Sequence, residues 1–314
     1  LIKPAFYITI LFPLFAQFLS AQQNLVFNGD FELYEACPTG PSSFGDYQIE
    51  KCLGWNSPTN ATPDYINSCN TGIAVGVPYN LGGYQYPYSG NGYTGIIAFN
   101  YQEQWYFEYI QGNLLTALEP TTRYHFSLKI GCGDANNIAI SRIGISLSQN
   151  PLFIPNYLPL QVTPVILNNA PLTDTIGWME ISGDFFAKGG EKFISIGYIG
   201  DTTYSDTTYI QTIPFQDYPL SYYYIDDVSI TVADDQAFTN VFTPNGDGIN
   251  DFMDFSIFVN SGLKVIVLNR WGNVVYSSQS GQKVWDGGNC NDGVYFYRVY
   301  SENELKSGFI ELIR

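Results

Sequence analysis

The chain is 314 residues long, with 45% hydrophobic, 17% aromatic and only 13% charged residues, enough for two modest domains or one large one with a tail. Its formal charge of −16 is unevenly spread: residues 22–235 carry 6 basic and 21 acidic groups, whereas residues 236–314 carry 6 and 8. A body so acidic cannot neutralise phosphates, which excludes nucleic acid and anionic membrane surfaces and leaves divalent cations and neutral glycans as partners.

Lys3, the apolar run from Ala5 to Phe18 interrupted by Pro13, and Leu19-Ser20-Ala21 before Gln22 have the order of an export leader over residues 1–21, cleaved after Ala21. The run is shorter than the ~20 apolar residues of a membrane-spanning helix, so no transmembrane anchor is expected after its removal. An opening Leu in place of Met fits either an alternative start codon or a clipped gene model.

From Gln22 onward, β-type runs alternate with Gly, Pro, Asn and Asp. They cover residues 24–32, Gly95–Phe99, Trp105–Gln111, Tyr124–Ile130, Ile138–Leu147, Trp178–Ala187, Phe193–Ile199 and Tyr222–Ile230. No helical period persists beyond about two turns. The pattern predicts an all-β protein with a sandwich or jelly roll over residues 22–232. Residues 150–175 and 201–221 read as long excursions, where binding surfaces tend to lie. A short acidic linker at 233–239 leads into a second body over 240–314.

Cysteines stand at 37, 52, 69, 132 and 290. Disulfides are permitted in an exported chain, and an odd number leaves at least one thiol outside any internal pair. Cys37, Cys52 and Cys69 share one loop-rich region, in which a Cys37–Cys69 bridge is expected; Cys290 is expected free. With no Cys-x-x-Cys pair and a single histidine, zinc is not expected.

The best candidate for recognition is the stretch Tyr79–Tyr93, where Tyr79, Tyr84, Tyr86 and Tyr88 sit among Gly, Asn and Pro. Flat rings beside amides offer sugars apolar faces for C–H contact and hydrogen bonds for hydroxyls. Tyr101, Trp105 and Tyr106 would extend such a platform. The competing reading folds the rings back onto the core, and Tyr93 in Gly-Tyr-Thr-Gly is assigned there. No enzyme is predicted: the sole imidazole, His125, sits in an alternating strand, and no Gly-x-Ser-x-Gly elbow or phosphate-cradling loop accompanies it. A carboxylate pair for glycoside hydrolysis is a matter of three-dimensional separation, which sequence does not decide.

In Phe242–Phe252, Asn245, Asp247 and Asp251 alternate with Gly246 and Gly248. Two readings fit this loop: oxygen ligands for Ca²⁺, or an Asx-type turn that caps its own backbone. The bidentate Glu that would complete an EF-hand is missing. Beyond it come Val265-Ile-Val-Leu-Asn-Arg-Trp-Gly272, Val284-Trp-Asp-Gly287, Asp292-Gly-Val-Tyr-Phe-Tyr297 and Glu311-Leu-Ile-Arg314. In this order the motifs resemble the type B, gliding-motility-associated C-terminal sorting domain of the type IX secretion system. The resemblance implies a small Ig-like β-sandwich, the secretion machinery as partner, and a secreted or outer-surface location.

The pair of ends Asn28-Gly-Asp-Phe-Glu32 and Tyr224-Ile-Asp-Asp-Val-Ser-Ile230 resembles the galactose-binding-like jelly roll shared by many carbohydrate-binding modules. That resemblance implies first and last strands side by side. It also implies a structural Ca²⁺ held by the Asp30 carbonyl, the Glu32 carboxylate and one of Asp226 and Asp227. The alternative is surface acids that cap turns. The segment Cys37–Cys69 looks like an insertion peculiar to exported proteins of this build. The expected function is an exported surface or extracellular binding protein directed at carbohydrate. The alternatives are an adhesive protein that binds protein partners and a polysaccharide hydrolase.

Overall fold

The computed structural model of the protein describes residues 22–100, 106–200, 207–210, 220–233, 240–278, 281–301 and 304–314. The leader assigned to residues 1–21, most of the linker, and Tyr101 and Trp105 lie outside them. Among the described residues no helix is long and apolar enough to cross a membrane.

The first body begins with β1 (Trp55–Asn56), β2 (Asp64–Asn67), β3 (Tyr79–Asn80), β4 (Gly83–Tyr84), β5 (Gly92–Asn100) and β6 (Tyr109–Asn113). There follow β7 (Arg123–Cys132), β8 (Ile138–Ile140), β9 (Ile143–Ser148) and β10 (Ile166–Leu167). It closes with β11 (Met179–Phe186), β12 (Phe193–Tyr198), β13 (Thr207–Tyr209) and β14 (Leu220–Val232). Two antiparallel five-stranded sheets, β1-β6-β12-β9-β10 and β11-β7-β14-β5-β2, enclose one core. This is the expected all-β sandwich.

Strand β7 shows how the pattern works. Tyr124, Phe126, Leu128 and Ile130 point into the core, while His125 lies on the opposite face, the period-2 alternation of a sheet with one buried face. In β14, by contrast, Tyr222 through Asp226 are all buried, because the chain also covers the outer face of that sheet. Buried on both sides, such a strand loses its alternation.

Three expected strands come out differently. Residues 24–32 form only a bridge from Val26 to Leu114. Leu25 N–H still donates to the Ile230 carbonyl at 2.7 Å, so the two ends of the body do run together. The run Ile138–Leu147 splits at Arg142, whose φ of 67° turns the chain between two sheets. Residues 106–108 precede rather than begin β6. The presumed insertion Cys37–Cys69 is structural: it supplies β1 to the edge of one sheet and β2 to the edge of the other. A disulfide joins Cys37 to Cys69; Cys52 and Cys132 are free and buried, and Cys290 is free and half-buried.

The second body contains β15 (Val241–Phe242), β16 (Met253–Asp254), α1 (Ser256–Asn260), β17 (Lys264–Leu268), β18 (Val274–Ser277), β19 (Val284–Trp285), β20 (Gly293–Tyr300) and β21 (Glu304–Leu312). One five-stranded sheet, β15-β21-β20-β17-β18, is faced by the β16–β19 ribbon and α1. Phe242, Phe255, Val265, Val267, Trp285 and Ile310 fill the space between these layers.

Candidate functional site

Strands β3 and β4 form a hairpin in which Tyr79 opposes Tyr84. Opposed residues share one face of a ribbon, and so do residues two apart on one extended strand. The Tyr79 and Tyr84 rings therefore meet edge-on at 4.8 Å, and Tyr86 meets Tyr84 edge-on at 5.7 Å. All three are exposed, at 62%, 42% and 58%, with Leu81 beside them at 57%. Glycine is required at the turn, since a Cβ on Gly82 would lie 2.6 Å from the Tyr224 hydroxyl.

A second set of tyrosines supports the first from beneath. Tyr93, Tyr222 and Tyr224 are buried with Ile66 and Val75 on the outer face of β5 and β14. Asn80 links them to the hairpin: its Nδ2 donates to Tyr93 Oη (2.9 Å), and Tyr224 Oη donates to its Oδ1 (2.6 Å). Tyr93 Oη in turn donates to the Gln85 carbonyl (2.8 Å). Tyr93 thus lies in the strand and core position assigned to it, while Tyr79, Tyr84 and Tyr86 face solvent.

Glu32, Asp226 and Asp227, three of the acids expected at a Ca²⁺ site, hold this loop. A bulge in β14 between Asp226 and Ser229, with Asp227 at φ 48°, aims both aspartates at the end of the tyrosine loop. Asp226 Oδ2 accepts the N–H groups of Tyr88 (2.8 Å) and Ser89 (3.1 Å), and its Oδ1 accepts that of Asp227 (2.7 Å). Ser89 Oγ donates to Asp227 Oδ1 (2.9 Å). Glu32 Oε1 accepts from the N–H groups of Asn91 (2.6 Å) and Gly92 (2.7 Å). Burial pushes the Asp226 carboxyl up to about 8, and the three N–H donors offset part of that cost. Asp30 lines a cavity of about 510 Å³ with Asn28, Tyr88, Lys129, Glu180 and Asp227.

Among the described residues no group of three or more acidic, histidine or cysteine side chains is gathered as metal ligands would be, and these carboxylates accept backbone N–H groups. The loop at 245–251 is held by the same kind of bond. Asp251 accepts the N–H groups of Gly246 (2.7 Å) and Gly248 (2.8 Å). Asp247 accepts from Ile249 N–H (2.8 Å) and Asn245 Nδ2 (2.9 Å). With Gly246 and Gly248 at φ 81° and 84°, this loop is the Asx-type turn that caps itself.

Not all the described residues expected with this tyrosine group lie beside it. Tyr106 does not belong to it: its ring stacks on Tyr157 at 5.3 Å, and its hydroxyl donates inward to Glu108 Oε1 at 3.0 Å. Tyr88 is half-exposed, but Lys129 Nζ stands 4.8 Å over its ring while paired with Glu180 at 2.7 Å. Trp178 was missed. Its Nε1 donates to the Tyr86 carbonyl (3.1 Å), and its ring meets the edges of Tyr88 and Tyr93. Nothing in a lone Trp some ninety residues downstream signals this contact. Asp134 was missed likewise; its Oδ1 accepts Tyr84 N–H at 2.8 Å.

Glu108 and Asp64 form a second buried acidic pair. Glu108 Oε2 accepts Ile97 N–H (2.6 Å), and Oε1 also accepts from Thr62 Oγ1 (3.3 Å). Asp64 accepts Ser42 N–H (2.8 Å) and Tyr222 Oη (2.9 Å). Burial raises both carboxyls above the ordinary range, and the Asp64 charge adds to the rise at Glu108. His125 Nδ1 lies 2.6 Å from Asp184 Oδ1 on the sheet surface, where Arg123 also pairs with Asp184.

Residues 236–312 match the CHU_C type IX secretion signal domain. No curated protein matches the sequence. Similar solved structures include the N-terminal CBM22-1–CBM22-2 tandem domain of Paenibacillus barcinonensis Xyn10C, at 10% identity over 58% of this chain and TM-score 0.35. This chain spans 46% of that tandem domain. The K3 cleaved adhesin domain of Lys-gingipain from Porphyromonas gingivalis W83 shows 12% identity over 54% of this chain and 91% of that one, TM-score 0.30. The N-terminal cellulose-binding domain of Cellulomonas fimi β-1,4-glucanase C shows 14%, over 63% and 98%, TM-score 0.29. At these identities and scores the likeness says nothing about a ligand. The C-terminal body is therefore an export signal of the type IX system.

Proposed function

We propose that the jelly-roll body is a glycan-binding module carried to the cell surface or the medium by its C-terminal signal. The observation that supports this most is the solvent-facing group Tyr79, Tyr84 and Tyr86, held by a buried layer of hydrogen-bonded tyrosines. Rigid rings backed by a fixed scaffold lose little entropy on binding, which is what a weakly hydrophobic ligand such as a sugar requires.

Ring geometry and charge narrow the class. The Tyr79 and Tyr84 planes lie at 75° and the Tyr84 and Tyr86 planes at 89°. A crystalline polysaccharide face needs coplanar rings, so this notched surface suits a single chain or a chain end. Lys129, the cation beside Tyr88, is paired with Glu180, so it offers uronate or sulfated glycans little countercharge. A glycan array tests the reading. Wild type is expected to bind neutral soluble glycans, and Tyr84→Ala and Tyr86→Ala each to weaken binding at least about tenfold, ~1.4 kcal/mol. Binding to no glycan, or binding indifferent to both changes, counts against it.

Export is tested separately. Removing residues 240–314 leaves the first body's core intact, so the truncated protein is expected to fold, remain in the periplasm and not reach the medium. Undiminished secretion would place the address elsewhere.

A further inference from the structure

Phe186 ends β11 on the jelly-roll body, yet its side chain is buried in the core of the second body. Its ring stacks on Phe258 of α1 with 4.4 Å between centroids and 18° between planes. Lys306 Nζ stands 5.2 Å over the same ring. The backbone joins in as well: Phe186 N–H donates to Ser261 Oγ at 3.0 Å, and that hydroxyl donates to the Ile257 carbonyl at 2.7 Å. Clefts of about 260 Å³ and 730 Å³ flank the contact, each lined from both bodies.

Two physical consequences follow. β11 is the edge of its sheet, and outward N–H groups on an edge strand invite pairing with other chains unless something covers them. Ser261 and α1 cover its last residue. In the other direction, a body of some 75 residues has a small core and marginal stability. A whole aromatic ring contributed by the cargo is then a large share of what holds α1 in place.

We infer that α1, Ser261 and Lys306 form a docking surface on the sorting body for a folded edge strand that presents an aromatic side chain. Here the partner is β11 of the same chain, with Phe186 as the inserted group. The sorting body reaches its full stability only when docked. An unfolded jelly roll has no such edge to offer, so the state of the export signal reports the folding of its cargo. This holds whatever the tyrosine hairpin binds.

Hydrogen exchange on the full chain tests the inference. In Phe186→Ala, amides of residues 256–268 are expected to exchange about tenfold to a hundredfold faster, while β5 and β14 keep their protection. Unchanged exchange across 256–268 overturns the proposal. Should Phe186→Ala also unprotect β5 and β14, Ser261→Ala decides. It keeps both rings and removes the acceptor for Phe186 N–H, so that amide is expected to exchange at least about tenfold faster, ~1.4 kcal/mol. No change at Phe186 in that variant overturns the proposal equally.

Discussion

Asp226→Ala is expected to lower the melting temperature of the jelly-roll body and to abolish glycan binding together. The carboxylate takes the N–H groups of Tyr88, Ser89 and Asp227 in a buried position. Each N–H left without an acceptor there costs about 1–3 kcal/mol. Relief from burying the carboxyl, whose pKa stands at about 8, offsets part of the loss. The net is a destabilisation of about 2–4 kcal/mol, or roughly 5–15 °C for a body of this size. Tyr84→Ala provides the contrast, since its ring is exposed: binding should fall with little change in melting temperature. If Asp226→Ala melts like wild type, the aspartate is not the anchor of the loop.

The second large effect is on pH. Glu108 and Asp64 have folded-state pKa values raised above the ordinary carboxylate range by burial. The native state then keeps protons that the unfolded chain releases, so stability falls as pH rises. The stabilisation is complete below the unfolded-state pKa of about 4 and is lost as pH climbs through the raised values. Glu108→Gln mimics the protonated acid: its carbonyl oxygen can accept Ile97 N–H, and its amide can donate to the hydroxyls of Thr62 and Tyr106. Near pH 5 the variant and wild type should melt alike, and near pH 9 the variant should melt several degrees higher. Asp226 shifts in the same direction, so the variant's profile should flatten without becoming level. A wild-type protein that is more stable at about pH 9 than at about pH 5 contradicts the sign.

How much of the site was legible depends on the range of each interaction. The Tyr-rich stretch was visible because its rings and glycines are neighbours in sequence, and the exposed half follows from a two-strand register. Trp178 and Asp134 reach the same hairpin from separate loops, with no local signal. Asp226 and Asp227 were singled out as adjacent acids at a buried strand end that need a cation or backbone donors, and sequence alone does not distinguish the two. The N–H groups come from residues 88–92, and only the fold brings those to the end of β14. Tyr106 turns inward for a similar reason: beside Glu108, two residues on, its hydroxyl meets Thr62, forty-four residues away.

By itself the sequence determined what rests on short-range chemistry: the β class, from alternating runs between turn residues, and the export signal, from motifs in a set order near the end. It also determined the acidic balance of residues 22–235. Tertiary structure decided which tyrosines face water, which donors neutralise the buried acids, and that a phenylalanine of the first body completes the core of the second. Those outcomes depend on contacts between residues far apart in the chain, whose free energy exists only once the sheets have packed.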